Sequence, residues 1–506
     1  MLGDHQLSAS IPESTRASRS FHILTLGCSK NRVDSDGMDH LLRQRGLAAA
    51  GTPETADIVI VNTCGFLGAA RAESVGVIED VLKDRRRDQR VIAAGCMPAL
   101  GNYRNDIPSG VDHVLTTREW FKIGDVVASL FNEETLPESA GCEGMLTTFH
   151  RDQAGPSAYV KIADGCDHNC AFCTIPSIKG RQVSKRPLHI IQEIVDLVAN
   201  GTKEVVLVAQ DTIRYGADLG MKHGLPQLLE MIVEQIPDLR WLRMLYIYPS
   251  PLTLRMVDVM AGHNALLPYL DMPIQHADRD VLRAMNRPSD VDMTRRLVAH
   301  ARAQLPDVAM RTTFIVGYPG ETERQFRTLI DFVEEMEFDH VGVFTYSPEE
   351  GTKAATLADS VPNEVAAERR GLLMEAQQRI SQCKNRQLVG QRLEVLVEAV
   401  GKSEDQRGRT EPISIGRARR HAPEVDGLVF IPGELPVGAL LNLEIADALP
   451  YDLWAVPPDG LAGQRDRADH RRARRRPAPR TRPRAASRLG RRERGRPVPM
   501  ATPAGT

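Results

Sequence analysis

Short apolar runs alternate with longer stretches of helical period along most of this chain. Runs at 22–26, 57–62 and 91–94 are short and apolar, as strands buried on both faces are. Helical stretches at 35–46 and 67–83 lie between them. The pattern over 21–140 predicts an α/β domain with a doubly wound parallel sheet. The alternation then repeats about six times over 152–386. Strands are expected at 158–163, 204–209, 242–248, 269–274, 311–316 and 340–346, with helices such as 188–199, 225–235 and 321–335 between them. Six βα units predict a partial (β/α)6 barrel, open on one side, with its site at the carboxyl ends of the strands. An open barrel suits a large substrate. From about Gln387 the runs shorten again, at 393–399, 413–418, 427–431, 440–446 and 453–456, separated by Gly, Pro and charged turns. Five such strands over 387–456 predict a small β-barrel of the OB type, which holds nucleic acid or a protein partner, or serves only as a docking module.

Composition changes this picture mainly at the ends. The chain has 506 residues, enough for about three domains, and 42% of them are hydrophobic. The net charge of −2 hides a split. Residues 461–506 hold 15 Arg against three acidic residues, which leaves 49 basic and 63 acidic residues in the remainder. The body is therefore acidic, and the tail, with Arg-Arg-Ala-Arg-Arg-Arg at 471–476, is basic and of low complexity. Residues 1–20 and 457–506 are expected to be disordered. The tail is able to touch RNA by counterion release, but it reads equally as an extension without essential function. No apolar stretch approaches the ~20 residues of a membrane span, and the first 20 residues have no apolar signal core. The expectation is a cytoplasmic, oxygen-sensitive protein with no membrane partner. In such a chain grouped cysteines point to metal or catalysis rather than disulfides.

The densest chemistry is the run Cys166-Asp-His-Asn-Cys170-Ala-Phe-Cys173. Three thiolates are one fewer than a [4Fe–4S] cluster normally takes, so one iron is left open for chemistry. An open iron chelates the amino and carboxylate groups of S-adenosylmethionine (SAM), and one electron then breaks its sulfonium bond. The spacing resembles the radical SAM superfamily. A structural zinc site is the competing reading, but zinc prefers four ligands in separated pairs, and His168 lies inside the run.

Three more cysteines each follow a predicted strand: Cys28 after Gly27, Cys64 in Asn-Thr-Cys-Gly, and Cys96 after Gly95. They are 36 and 32 residues apart, yet ligands in open α/β sheets gather beyond the carboxyl ends of the strands. They form a candidate second tris-cysteine cluster site. The alternative is three small buried residues that happen to end strands.

Two tris-cysteine sites followed by a small β-barrel resemble the methylthiotransferase family, over about residues 20–456. Local segments resemble its RimO branch, which modifies an aspartate of small-subunit ribosomal protein uS12: Gln210-Asp211-Thr212, Gln275-His276-Ala277, 311–322, 343–352, and Ala422-Pro-Glu-Val-Asp-Gly427. Two other branches modify tRNA adenosines. The resemblance implies an N-terminal domain with an auxiliary [4Fe–4S] cluster on Cys28, Cys64 and Cys96. It implies a radical SAM domain with its cluster on Cys166, Cys170 and Cys173, and a terminal TRAM domain. It also implies two uses of SAM. One molecule methylates a sulfur on the auxiliary cluster, and another yields the radical that takes hydrogen from the aspartate β-carbon. The Arg-rich tail is not needed by the family.

Other positions carry paired readings. Phe172 packs beside the adenine of SAM or is an ordinary loop hydrophobe. Gly317, Pro319 and Gly320 follow a strand and let backbone approach SAM. Gln210, Asp211, Arg243 and Gln275 are expected at the barrel mouth, binding SAM or substrate, or closing a barrel layer. His168 is expected to be a surface loop residue and His276 a hydrogen-bonding one. Cys142 and Cys383 read as incidental thiols. Partners implied are uS12, an electron donor such as flavodoxin or ferredoxin, and a sulfur donor. The rival functions are the same chemistry on tRNA, and a non-catalytic iron–sulfur RNA-binding protein.

Overall fold

The computed structural model describes residues 19–132, 144–146, 148–151, 155–287, 290–404, 408 and 410–458. The termini expected to be disordered lie outside these residues except for Arg19, Ser20, Pro457 and Pro458, and Cys142 lies outside them too. Ser20 opens the first strand.

The first layer comprises β1 (Ser20–Thr25), α1 (Ser29–Gln44), β2 (Ala48–Ala49), β3 (Ile58–Thr63), α2 (Gly68–Lys83), β4 (Arg90–Gly95), β5 (His113–Thr116) and α3 (Ile123–Leu130). The sheet order is β2-β1-β3-β4-β5, with every pair parallel. β3 shows why the sheet is covered twice. Its Ile58 and Ile60 pack with Val33, Met38 and Leu42 of α1 and with Ile123 and Val127 of α3. Its Val59 and Val61 pack with Ile78 of α2 on the other side. A strand apolar on both faces needs a helix layer on each. The strand order reverses between β1 and β3, which opens a crevice at their carboxyl ends.

α1 starts six residues earlier than its apolar period predicts. Ser29, Lys30 and Asn31 are polar but buried, so hydrophobic periodicity carries no sign of them. The edge strands β2 and β5 are too short to leave a sequence signal.

The second layer begins with β6 (Ser157–Lys161), β7 (Ala163–Asp164), α4 (Ile175–Lys179), β8 (Val183–Ser184), α5 (Pro187–Ala199), β9 (Glu204–Val208), α6 (Gly224–Gln235) and β10 (Trp241–Met244). It continues with α7 (Pro251–Gly262), β11 (Tyr269–Gln275), α8 (Arg279–Ala284), α9 (Val291–Gln304), β12 (Ala309–Val316), α10 (Glu323–Met336), β13 (His340–Thr345) and α11 (Asn363–Gln387). Six parallel strands run β6-β9-β10 and then β11-β12-β13. The seam between the halves is held by a Leu242–Leu266 bridge and by Ile247 N–H donating to Asp271 O at 2.8 Å. Among the described residues β6 and β13 do not pair, so the barrel is open as expected.

The last unit closes as β14-β15-β16-β18-β17, from β14 (Arg392–Glu404), β15 (Thr410–Ala418), β16 (Val429–Pro432), β17 (Leu440–Ala448) and β18 (Leu453–Ala455). Its core is Val395, Val397, Val429, Ile431, Leu443, Ile445 and Leu453. The 419–428 loop reaches into the open barrel. Tyr269 of β11 donates to Asp426 at 2.6 Å, and Tyr159 of β6 donates to Glu424 at 3.3 Å.

Arg243 does not lie at the barrel mouth. It is fully buried and donates to Glu204, the first residue of β9, at 2.7 Å, which directs it toward the amino-terminal end. Glu204 also binds Arg417 of β15, and Arg417 donates to Glu398 of β14 at 2.7 Å. The cluster therefore pins the small barrel to the large one.

Burial pushes the Glu204 carboxyl up, but the guanidiniums of Arg417 and Arg243 reverse this and hold it at about 2. Glu204→Gln will leave the buried Arg243 guanidinium without a carboxylate, while Arg417 keeps Glu398, and chemical denaturation should read a loss of about 3–5 kcal/mol. The unfolded carboxyl titrates near 4.3, so the pair's contribution is complete above about pH 4.5 and falls away from there toward pH 2.

Candidate active site: two cysteine triads

The loop that carries Cys166, Cys170 and Cys173 follows β7 at the barrel mouth. Backbone bonds fix its shape. Cys166 N–H donates to Gly180 O at 3.1 Å, and Cys173 N–H to Cys170 O at 3.1 Å. Ala171 N–H donates to Met285 O at 2.8 Å, and Ala354 N–H to Ala171 O at 2.7 Å. Phe172 packs on a small apolar floor of Ala171, Val281, Met285, Tyr318 and Ala354. Arg287 Nη1 lies 3.6 Å from Cys170 Sγ and its guanidinium is 4.7 Å from the Tyr248 ring.

His168 is not a plain surface residue. Its Nε2 lies 2.7 Å from Asp211 Oδ2, and its ring stacks on Tyr248 with centroids 4.8 Å apart. A cleft of about 270 Å³ opens beside this pair, lined by Tyr215, Met221 and Ser250 among others. His168 and Asp211 orient the loop between the first two cysteines. Asp211→Asn should weaken iron loading about 10–100-fold, the usual cost of losing a supporting partner, as titration with ferrous iron and sulfide would read.

Cys28, Cys64 and Cys96 stand beyond β1, β3 and β4, around the crevice where the strand order reverses. Asn31 ties the three ends together. Its side-chain amide donates to Leu26 O at 3.0 Å and Thr63 O at 2.9 Å, and its oxygen lies 3.3 Å from Cys96 Sγ. Gly27 has φ +90°, and a Cβ there would lie 2.9 Å from Cys64 Cβ, so only glycine permits this approach.

The two cysteine loops abut. Thr174, next to Cys173, donates to the carbonyl of Phe66, two residues beyond Cys64, at 3.3 Å. Cys96 packs with Ile178 of α4. Beneath them lies a buried ionic quartet. Lys161 of β6 and Lys179 of α4 both donate to Asp34 of α1 and to Asp164, two residues before Cys166. Lys179 also donates to Thr117 at 2.5 Å. Burial pulls the Lys179 ammonium down, but Asp164 and Asp34 hold it well above the ordinary lysine range. Sequence reasoning passed over this quartet, because four separate charged residues in four elements leave no local pattern.

The donor set fits iron–sulfur clusters. Burial, with the neighbouring thiols adding to it, pushes Cys64 up to about 11 and Cys96 up to about 12. Burial likewise pushes Cys166 up to about 11 and Cys173 up to about 12. Such thiols ionise only when a metal replaces the proton. Among the described residues no three His, Cys, Asp or Glu side chains converge on a single ion. A cubic cluster makes a different demand, because each of its thiolates binds a separate iron.

Several buried acceptors at the mouth have no protein partner. Gln210 donates to Asp164 Oδ1 at 2.7 Å while its own oxygen is unpartnered, as are Gln275 Oε1 and Asp211 Oδ1. Gln275 also takes φ +78°, a rare conformation for a side-chain-bearing residue. Such acceptors suit a ligand rich in donors, as SAM is with its ammonium, ribose hydroxyls and adenine amine. Gly317 has a packing reason of its own, since a Cβ there would lie 2.5 Å from Ala366 Cβ. Glu321 accepts from Gly317 N–H and Tyr318 N–H, which shapes the turn carrying Pro319. His276 is fully buried and accepts from Asp278 N–H at 2.9 Å, and Cys383 is exposed on α11.

The comparisons with known proteins agree with this architecture. Residues 20–114 match the uncharacterized protein family UPF0004, 160–333 the radical SAM superfamily, and 389–457 the TRAM domain. A ribosomal protein uS12 methylthiotransferase RimO of Roseiflexus sp. (strain RS-1) is 44% identical over 86% of this chain and 96% of its own length. The same-named proteins of Chloroflexus aurantiacus and Herpetosiphon aurantiacus are 43% and 44% identical over 86% of the chain, covering 98% and 99% of theirs. Among solved structures, the radical SAM methyltransferase TsrM of Kitasatospora setae, with cobalamin and a [4Fe–4S] cluster bound, shares the fold. Its TM-score is 0.51 at 14% identity, over 77% of this chain and 81% of that one. No helix among the described residues is long and apolar enough to cross a membrane. [4Fe–4S] clusters and SAM are the cofactors of this group. The chain belongs to the RimO family of radical SAM methylthiotransferases.

Proposed function

We propose that this protein inserts a methylthio group at the β-carbon of an aspartate of ribosomal protein uS12. The observation that carries the reading is the abutment of the two cysteine loops through Thr174 and Phe66. Sulfur delivery and hydrogen abstraction must act on one carbon, so their two centres need to share one space. The substrate comes from the relatives, whose name specifies uS12.

Cys166, Cys170 and Cys173 hold the cluster that binds SAM, and Cys28, Cys64 and Cys96 hold the auxiliary one. Bound clusters and SAM supply the radical chemistry that an unactivated C–H bond requires. The chain supplies position and exclusion of water. Gln210 and Gln275 offer buried acceptors to SAM. Phe172 and the Gly317–Pro319 turn line the same side of the mouth. Asp34, Asp164, Lys161 and Lys179 hold α1 against the barrel and keep the two triads in register. Flavodoxin or ferredoxin serves as electron donor, a separate protein or sulfide supplies sulfur, and the reaction takes place in the cytoplasm.

The genetic test is deletion and complementation. Intact-mass analysis of uS12 should lose the modification on deletion and regain it with this chain, while methylthio-adenosines of tRNA stay unchanged. Loss of a tRNA methylthio-adenosine with uS12 unaltered would move the substrate to tRNA.

A further inference from the structure

Lys30 is a buried cation without a carboxylate partner among the described residues. It lies in the first turn of α1, two residues past Cys28, and is 8% exposed. A lysine so buried is ordinarily paired. Its ammonium instead rests 3.3 Å from the centroid of the Tyr246 ring. Cys28 acts on it electrostatically, and so, less strongly, does Asp271 of β11. That carboxylate is already engaged, accepting from Arg311 at 3.0 Å through one oxygen and from Tyr246 N–H at 3.0 Å through the other.

Tyr246 is itself unusual. It follows β10 at the barrel mouth with φ +61°, the left-handed region, which strains a bulky residue. It is held there from both sides, since its N–H is bound by Asp271 and its carbonyl accepts from Thr212 N–H at 3.1 Å. Its ring meets α1 at Lys30. A buried ammonium with no carboxylate ion pair among the described residues and a strained aromatic wall thus face each other where the auxiliary triad meets the barrel mouth.

We propose that Lys30 receives the side-chain carboxylate of the target aspartate. The inference rests on the substrate reading above. The carboxylate carbon is bonded directly to the β-carbon that reacts, so an ion pair at Lys30 fixes that carbon and the hydrogen it presents. A charge-assisted hydrogen bond in a water-poor site is strong and directional. It is also selective, because a neutral amide or a nucleobase leaves the Lys30 charge buried and unpaired. Lys30 is thereby a specificity-determining residue for an acidic target.

The test uses the reconstituted full-length enzyme with purified uS12 and with a uS12 variant whose target aspartate is asparagine. The wild-type enzyme should prefer aspartate by about 100-fold or more in kcat/KM. Lys30→Met should lower the aspartate rate about 100-fold, change the asparagine rate by less than about threefold, and so abolish the preference. Lys30→Arg should keep most of it. Iron and sulfide content equal to wild type in Lys30→Met separates substrate recognition from damage to the Cys28 site. A Lys30→Met enzyme that keeps the wild-type preference overturns the proposal. So does a wild-type enzyme that modifies both proteins equally, a result that needs no variant at all. A wild-type enzyme that modifies neither overturns the substrate assignment, and the role of Lys30 with it.

Discussion

Alanine at Cys166, Cys170 and Cys173 together will abolish SAM cleavage and all product while leaving the fold intact. Reconstituted iron should drop from about eight to about four per chain, the content of one cubic cluster. The fold should survive because the loop is held by bonds that involve no sulfur. Ala171 ties its backbone to Met285 and to Ala354, and Phe172 keeps its apolar floor. Thermal unfolding of the iron-free triple variant should therefore match that of the iron-free parent. Retained deoxyadenosine formation would mean that these thiols do not carry the cleaving centre.

The complementary triple substitution at Cys28, Cys64 and Cys96 is expected to separate the two halves of the reaction. Deoxyadenosine should still form at the barrel mouth, since the Cys166 loop is anchored to its own barrel. No carbon–sulfur bond should appear, because the crevice between β1 and β3 would have lost its sulfur-bearing group. The parent residues Asn31 and Ser74 remain to hold the strand ends, through Thr63 O and Cys64 N–H. The readout is the ratio of deoxyadenosine to methylthiolated protein. In the parent the two are coupled. In this variant the ratio should rise without limit, since its denominator vanishes. Methylthiolated product from the variant would contradict a sulfur role for the N-terminal triad.

The sequence carried the large elements of this molecule well, for a physical reason. Strands such as β3 and β9 are buried on both faces, so they write themselves as unbroken apolar runs. The cysteine triads were visible too, one by tight spacing and the other by its place after each strand. What escaped was polar and long-range. The quartet of Asp34, Lys161, Asp164 and Lys179 spans two layers of the fold, and although Lys161 and Asp164 are three residues apart, no local window brings in Asp34. The early start of α1 was missed because its first turn is polar: Lys30 rests on Tyr246 of the barrel and Asn31 binds the strand ends of its own sheet, so neither adds to an apolar period. Arg243 misled for the opposite reason. It sits on a barrel strand, but its side chain runs down to Glu204 and Arg417, a direction that depends on the small barrel docking below.

The most direct measurement is anaerobic. Enzyme with both clusters rebuilt is mixed with dithionite, SAM, sulfide and purified uS12, and the ribosomal protein is weighed by mass spectrometry. A gain of about 46 Da on one aspartate, methylthio replacing hydrogen, with deoxyadenosine released in step, is the predicted result. Deoxyadenosine formed while uS12 keeps its mass would contradict the account at its centre.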